Sequence, residues 1–256
     1  MSFEPLPSLH GRVAVITGGK GAIGFASAER LAALGARIVS LDRSDCAATQ
    51  ARLDALPQAP HASWHLALQA SVTDSASLGQ AAQAIQEKTG RCDILINSAG
   101  FTKSVPANDL EDLDDALFDA IVQSNLRGVF ATVRAFAPLL KASGDGLIVN
   151  VSSIAGFTGT GSNLAYVAAK AGVDVLTQSL AKVLAPHVRV LAISPGVVDS
   201  GFVPGRGADF NAKAAATIPL QRVGTVQDIA SAIEACATTM RFATGTRFVI
   251  DGGRSL

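Results

Sequence analysis

Short runs of β-branched and aliphatic residues recur along the chain, each followed by a longer stretch whose apolar positions repeat every three to four residues. The short runs occupy residues 12–17, 37–41, 64–68, 93–96, 146–151, 188–193 and 247–250. They are continuous rather than alternating, which is the pattern of strands covered on both faces in a parallel sheet. Between them the helical period predicts helices over 23–34, 45–56, 74–88, 113–140 and 163–184. A further helix starts at Thr225 and runs to about 238, and a short helical patch spans 211–216. Gly35 and Gly90 are C-terminal stops, Pro57 and Pro60 break the second helix, the fourth ends near Pro138, and Pro186 stops the fifth. Seven strands alternating with helices predict an α/β, doubly wound Rossmann-type domain, a parallel sheet with helices on both faces. No linker divides residues 1–256, which read as a single domain behind an N-terminal arm at 1–10.

Composition adds exclusions. Lys plus Arg and Asp plus Glu both number 21, so no electrostatic footprint for nucleic acid or an acidic membrane exists. The N-terminal residues lack a basic start followed by an apolar run, so no secretory signal is expected. The most apolar stretches are interrupted by Arg134, or by Lys170 and Asp174, so no membrane span is expected. Cys46, Cys92 and Cys236 are far apart and form no Cys-x-x-Cys pair, consistent with free thiols in a reducing cytoplasm. His61 and His65 stand four apart in a Pro-flanked, strand-like setting, so both read as surface or loop residues and no metal is expected.

Three local patterns carry chemistry. Thr17-Gly-Gly-Lys-Gly-Ala-Ile-Gly24 joins the first strand to the first helix, where glycines let backbone approach a pyrophosphate and a helix start offers free N–H groups. Asp42, at the end of the second strand and 18 residues beyond Gly24, can accept both hydroxyls of an adenosine ribose and would repel a 2′-phosphate. NAD is therefore favoured over NADP, with the neighbouring Arg43 as the opposing signal. Tyr166 and Lys170 stand one helical turn apart, so both side chains leave the same helix face. An ammonium beside a phenol favours the phenolate and makes the pair an acid/base for an oxygen-bound proton.

Taken with Asn97-Ser98-Ala99-Gly100, Asn125, Ser152-Ser153, Pro195-Gly196 and Asp251-Gly252-Gly253, in that order, these patterns resemble the short-chain dehydrogenase/reductase family over about residues 9–253. The resemblance implies strand order 3-2-1-4-5-6-7 and a nicotinamide cofactor across the strand C-termini. It implies Tyr166 as general acid/base and Lys170 as the residue that lowers its pKa and binds the nicotinamide ribose. Ser153, 13 residues before Tyr166, would polarise the substrate oxygen, and Asn125 would hold a water linking Lys170 to solvent. Cofactor contacts are implied at Gly18, Lys20, Gly21, Ala22, Ile23 and Gly24 on the turn, at Asp42 and Arg43, and at Ser71 and Val72. They continue at Asn97, Ala99 and Gly100, and at Pro195, Gly196, Val198 and Ser200. The chain departs from the family pattern at Ala22, Ser71, Ser98 and Leu191, where Gly, Asp, Asn and Asn are usual.

Residues 199–224 are expected to cover the substrate, with Phe202 and Phe157 among the substrate-binding residues and Phe101, Thr102 and Thr158 at the approach. Arg206 could anchor a carboxylate, although a solvated charge is the plainer reading. A mostly apolar cleft suits a neutral or modestly polar secondary alcohol or ketone. The apolar faces of the two long helices, with the resemblance, imply a homotetramer built as a dimer of dimers. Two other readings remain: an NADPH-dependent 3-oxoacyl thioester reductase, and a non-catalytic dinucleotide-binding sensor.

Overall fold

The computed structural model describes residues 8–58, 64–205, 207 and 209–256. His61 and Arg206 lie outside them, as does most of the N-terminal arm. Seven strands form one sheet: β1 (Val13–Thr17), β2 (Arg37–Asp42), β3 (Leu66–Gln69), β4 (Ile94–Asn97), β5 (Gly146–Val151), β6 (Val188–Pro195) and β7 (Arg247–Ile250). Their order is β3-β2-β1-β4-β5-β6-β7 and every pairing is parallel, as expected. The helices are α1 (Ala22–Ala33), α2 (Cys46–Asp54), α3 (Ser75–Thr89), α4 (Asp115–Val122), α5 (Gly128–Ala142), α6 (Ala155–Thr158), α7 (Leu164–Leu184), α8 (Phe210–Ala215) and α9 (Val226–Thr238).

Alternate strand residues feed two cores. On one face Ala14 and Ile16 of β1 meet Phe25 and Leu31 of α1 and Ile229 and Ile233 of α9. On the other, Val13 and Val15 meet Leu78 and Ile85 of α3 and Phe136 and Leu140 of α5. Phe136 and Ile16 are fully buried, and each such side chain contributes about 1.5–3 kcal/mol of transfer free energy. Caps set the helix starts. Asp74 accepts from the Ala76 and Ser77 N–H groups, and Asn163 accepts from Tyr166 N–H at 2.8 Å. Thr225 and Asp228 form a reciprocal capping box.

Several expectations need correction. The helix expected at 113–140 is α4 and α5 joined by a π-helical segment, Gln123–Arg127, and it runs through Pro138 to Ala142. A proline removes one backbone donor, and packing of Phe136, Leu139 and Leu140 on the sheet holds the last turn together. Trp64 is not in the third strand; its ring lies beneath Arg37 and Lys88, 5.4 and 4.8 Å from its centroid. His65 is not a surface residue. It is 4% exposed, its Nδ1 accepts from Ile38 N–H at 3.0 Å, and Nε2–H therefore donates to Pro57 O at 3.1 Å. Burial holds its pKa below the ordinary histidine value. Leu9 of the expected loose arm is 2% exposed and its N–H donates to Leu34 O.

Candidate active site

All seven strands point their C-terminal ends toward one edge of the sheet, and a cleft of about 1530 Å³ opens there. The register sets Thr17, Asn97 and Asn150 side by side at the ends of β1, β4 and β5. Thr17 Oγ1 accepts from the N–H groups of both Ser98 and Ala99, each at 3.2 Å, which ties the glycine turn to the segment after β4. Gly18 adopts φ +66°, and a Cβ there would come within 2.9 Å of Ala99 Cα. A Cβ on Gly24 would strike Gly18 O at 2.3 Å. Helix α1 starts at Gly21 with no side-chain cap and no acid in its first turn. Its opening N–H groups are therefore available to an anion, and Gly18, Lys20, Gly21, Ala22 and Ile23 all line the cleft.

At the end of β2, Asp42 is 4% exposed and accepts from Lys20 N–H, at 3.1 and 3.2 Å to its two oxygens, and from Ser40 Oγ. A carboxylate has about four lone-pair sites, so acceptor capacity remains for a ribose. The Lys20 ammonium is drawn away to Asp45, at 2.7 Å, and Ser44. Arg43, Ser71 and Val72 also line the cleft, and Ser71 Oγ lies 2.8 Å from Thr73 Oγ1. The open α1 start, the close-packed glycines and this carboxylate fit a dinucleotide along the cleft.

The second half of the cleft is built on β5, α6 and α7. Tyr166 sits in the first turn of α7, oriented by the Asn163 cap, whose Nδ2 donates in turn to Thr102 Oγ1 and Lys103 O. Lys170 follows one turn later, 5% exposed, its Nζ donating to Val151 O at 2.7 Å and lying 5.5 Å from the Tyr166 ring centroid. Burial pulls the Lys170 pKa down to about 8, and the charge of Asp174 opposes that fall. Ser153 lines the cleft, and its Oγ accepts from Ala155 N–H at 3.2 Å, which starts α6. Tyr166, Lys170 and Ser153 therefore share one cavity with the glycine turn. Pro195, Gly196, Val198 and Ser200 line it as well, and Phe202 places its ring 6.0 Å from that of Tyr166.

Asn125 lies in the π-helical segment, where an extra residue in the turn carries its side chain inward. Its Nδ2 donates to Phe101 O and Ile121 O, at 2.8 and 3.0 Å. Its buried Oδ1 has no partner among the described residues, and a Cβ on Gly100 would approach that oxygen to 2.5 Å.

Some expected contacts are not on the cleft wall. Phe157 is not on the wall: its ring lies 4.2 Å from the Arg247 guanidinium, and Thr158 lines the cleft instead. Gly24 acts from behind, letting α1 sit against Gly18. The Asn97 side chain is a strut across the sheet, donating to Asn150 Oδ1, and Asn150 donates to Thr177 Oγ1. Two cations on segment 199–224 are engaged. Lys213 pairs with Asp209, and Arg222 grips both oxygens of Asp228. The sequence reading missed Ser104, Thr217 and Arg254, which line the cleft from distant segments. No spacing rule connects them.

Residues 18–255 match the sequence profile of the family described as Enoyl-(Acyl carrier protein) reductase. The chain belongs to the short-chain dehydrogenase/reductase family. Among curated members of this family it is 37% identical to cis-4-hydroxycyclohexanecarboxylate dehydrogenase of Sinomonas cyclohexanicum, over 94% of this chain and 96% of that one. It is 32% identical to the 3-oxoacyl-(acyl-carrier-protein) reductase FabG of Escherichia coli (strain K12), over 99% and 98%. Among solved family structures, levodione reductase superposes with a TM-score of 0.88 at 31% identity, covering 96% of this chain and 98% of that one. A dehydrogenase/reductase of Sinorhizobium meliloti 1021 gives 0.85 at 32%, covering 97% of both. Membership makes the chain an oxidoreductase-family enzyme that uses a nicotinamide dinucleotide. Among the described residues no helix is long and apolar enough to cross a membrane.

Proposed function

We propose that the chain transfers a hydride between NAD(H) and a secondary alcohol or ketone, with Tyr166 as general acid/base. One observation carries the reading: the Tyr166–Lys170 pair opens onto the same cleft as the glycine turn and the uncapped start of α1. In the oxidative direction the alcohol proton passes to the Tyr166 oxygen while Ser153 Oγ orients the reacting oxygen. The bound nicotinamide supplies the hydride acceptor. The Lys170 ammonium lies 5.5 Å from the centroid of the Tyr166 ring, and a positive charge beside a phenol favours the phenolate. Asn125, with Oδ1 unsatisfied beside Gly100, is read as the holder of a water that joins Lys170 to solvent.

Asp42 supports NAD, because a buried carboxylate at the end of β2 repels a 2′-phosphate. The second reading, an NADPH-dependent 3-oxoacyl thioester reductase, draws on the relatives named for that activity and on Arg43 at the cleft mouth. Titrating NADH and NADPH against intrinsic fluorescence separates the two; tighter NADPH binding favours the second. Tyr166→Phe should abolish turnover and retain NADH binding. No turnover by the unaltered protein over a broad panel of alcohols, ketones and thioesters would leave only the sensor reading.

The single sheet supports reading the chain as one catalytic domain. Exposed Phe118, Phe130, Val175 and Val183 on α4, α5 and α7 support a homotetramer, to be checked by light scattering. Three unbridged cysteines suit the cytoplasm.

A further inference from the structure

The walls beyond Tyr166 are mostly apolar or hydroxylic, and include Phe101, Phe202, Val203, Phe210, Ser104 and Thr160. Among the described residues one cation breaks this pattern. Arg254, third from the C-terminus, lines the cleft half-buried and donates through Nη1 to Thr217 Oγ1 at 2.7 Å. Among the described residues no carboxylate pairs with it, whereas Arg12, Arg30, Arg91, Arg222, Arg241 and Arg247 each have an acidic partner. A guanidinium carries about five donors in a fork that matches a carboxylate, and the bond to Thr217 occupies one.

The tail is built to hold that side chain in place. Asp251 Oδ1 accepts from Gly253 N–H and Oδ2 from Ser255 N–H, both at 2.8 Å. Gly252 and Gly253 take φ values of 67° and 89°, where a Cβ would press on Ile218 and Pro219 at 2.8 Å. Leu220 N–H closes the fold-back by donating to Gly252 O at 3.1 Å. Thr217, which steadies the guanidinium, lies in the turn after α8 and lines the same cavity. The turn that would take a pyrophosphate follows β1, four strands from β7, or ~19 Å at the usual strand spacing. Among the described charged side chains on the cleft wall, Lys170 is committed to Val151 O, and the one carboxylate, Asp42, lies at the end of β2. The substrate half therefore presents a positive charge without a counter-ion from the described residues.

We propose that Arg254 is a specificity-determining residue that binds a carboxylate on the substrate, so that the preferred substrates are hydroxy or oxo acids whose acid group lies away from the reacting carbon. This rests on the proposed alcohol/ketone chemistry. The carbinol hydride still goes to the nicotinamide and the hydroxyl proton to Tyr166, and the carboxylate is unchanged.

The test compares kcat/KM for 3-hydroxybutyrate, 3-hydroxycyclohexanecarboxylate and 4-hydroxycyclohexanecarboxylate with kcat/KM for their methyl esters. The unaltered protein should prefer at least one acid. Arg254→Met should cut that acid-over-ester preference about 10- to 100-fold, and Arg254→Lys should restore part of it. Arg254→Gln, which can still reach Thr217, guards against a folding defect and should behave like the Met variant. Equal preference in the unaltered and Met proteins overturns the proposal, as does no acid preference in the unaltered protein, or an effect confined to NADH affinity. If nothing is turned over, acid-induced shifts in melting temperature decide. A shift lost in Arg254→Met keeps the anion site while the proposed chemistry fails; no shift in the unaltered protein sinks the site.

Discussion

Replacing Lys170 by Met should inactivate the apoprotein's catalytic pair and stabilise its fold. The ammonium is 5% exposed, and burial drags its pKa from the ordinary 10.5 to about 8. At about 1.4 kcal/mol per pH unit, holding that charge inside costs the fold ~3 kcal/mol at pH 7. Methionine has a similar length and no charge, but it strands Val151 O, which now accepts from Lys170 at 2.7 Å. An unpaired buried carbonyl costs about 1–3 kcal/mol, so the net gain is ~0–2 kcal/mol and the melting temperature should rise by up to about 5 °C. The pH dependence supplies the sharper check. Below pH 8 the lysine is charged in both folded and unfolded chains, so the full penalty is present. Between about 8 and 10.5 the folded chain loses its proton first, the unfolded chain holds more protons, and stability rises with pH. The gap between variant and unaltered protein should therefore shrink as the pH is raised from 7 to 10. Melting curves of both apoproteins at the two pH values measure it. A variant that melts lower at pH 7, or a gap of the same size at both, refutes the reasoning.

Two other changes test the scaffold. Gly24→Ala puts a methyl 2.3 Å from Gly18 O, a backbone atom that cannot swing aside; it should cost about 1–3 kcal/mol in urea unfolding and weaken NADH binding together, and an unaltered midpoint would show that the turn is looser than described. Asp228→Ala removes both the capping box and the Arg222 clamp, at about 1–2 kcal/mol. Because Arg222 holds the Asp228 pKa well below the ordinary carboxylate value, the contribution is present at neutral pH and lost only in strong acid; the deficit measured by urea unfolding at pH 7 should persist at pH 5.

Periodicity alone located all seven strands and the sheet's architecture, because buried parallel strands and amphipathic helices are written in spacings of a few residues. Local patterns marked the glycine turn, Asp42, Tyr166 and Lys170, and the resemblance added the strand order and Ser153; the fold gathers all of these residues around one cleft. Departures arose wherever a partner distant in sequence decided the outcome. His65 is buried because β2 and the Pro57 carbonyl both reach its ring, and Phe157 stacks under Arg247, 90 residues away in sequence, rather than lining the cleft. The π-helical turn at Gln123–Arg127 obeys no hydrophobic spacing; it fits the packing of α4 and α5 and presses Asn125 on Gly100. Arg254 is the extreme case, joined to Thr217 across 37 residues by a tail that turns back on itself. Local spacing specifies elements and the residues within one turn of each other. Which side chains then share a cavity depends on how separate elements pack, and only the folded chain sets those distances.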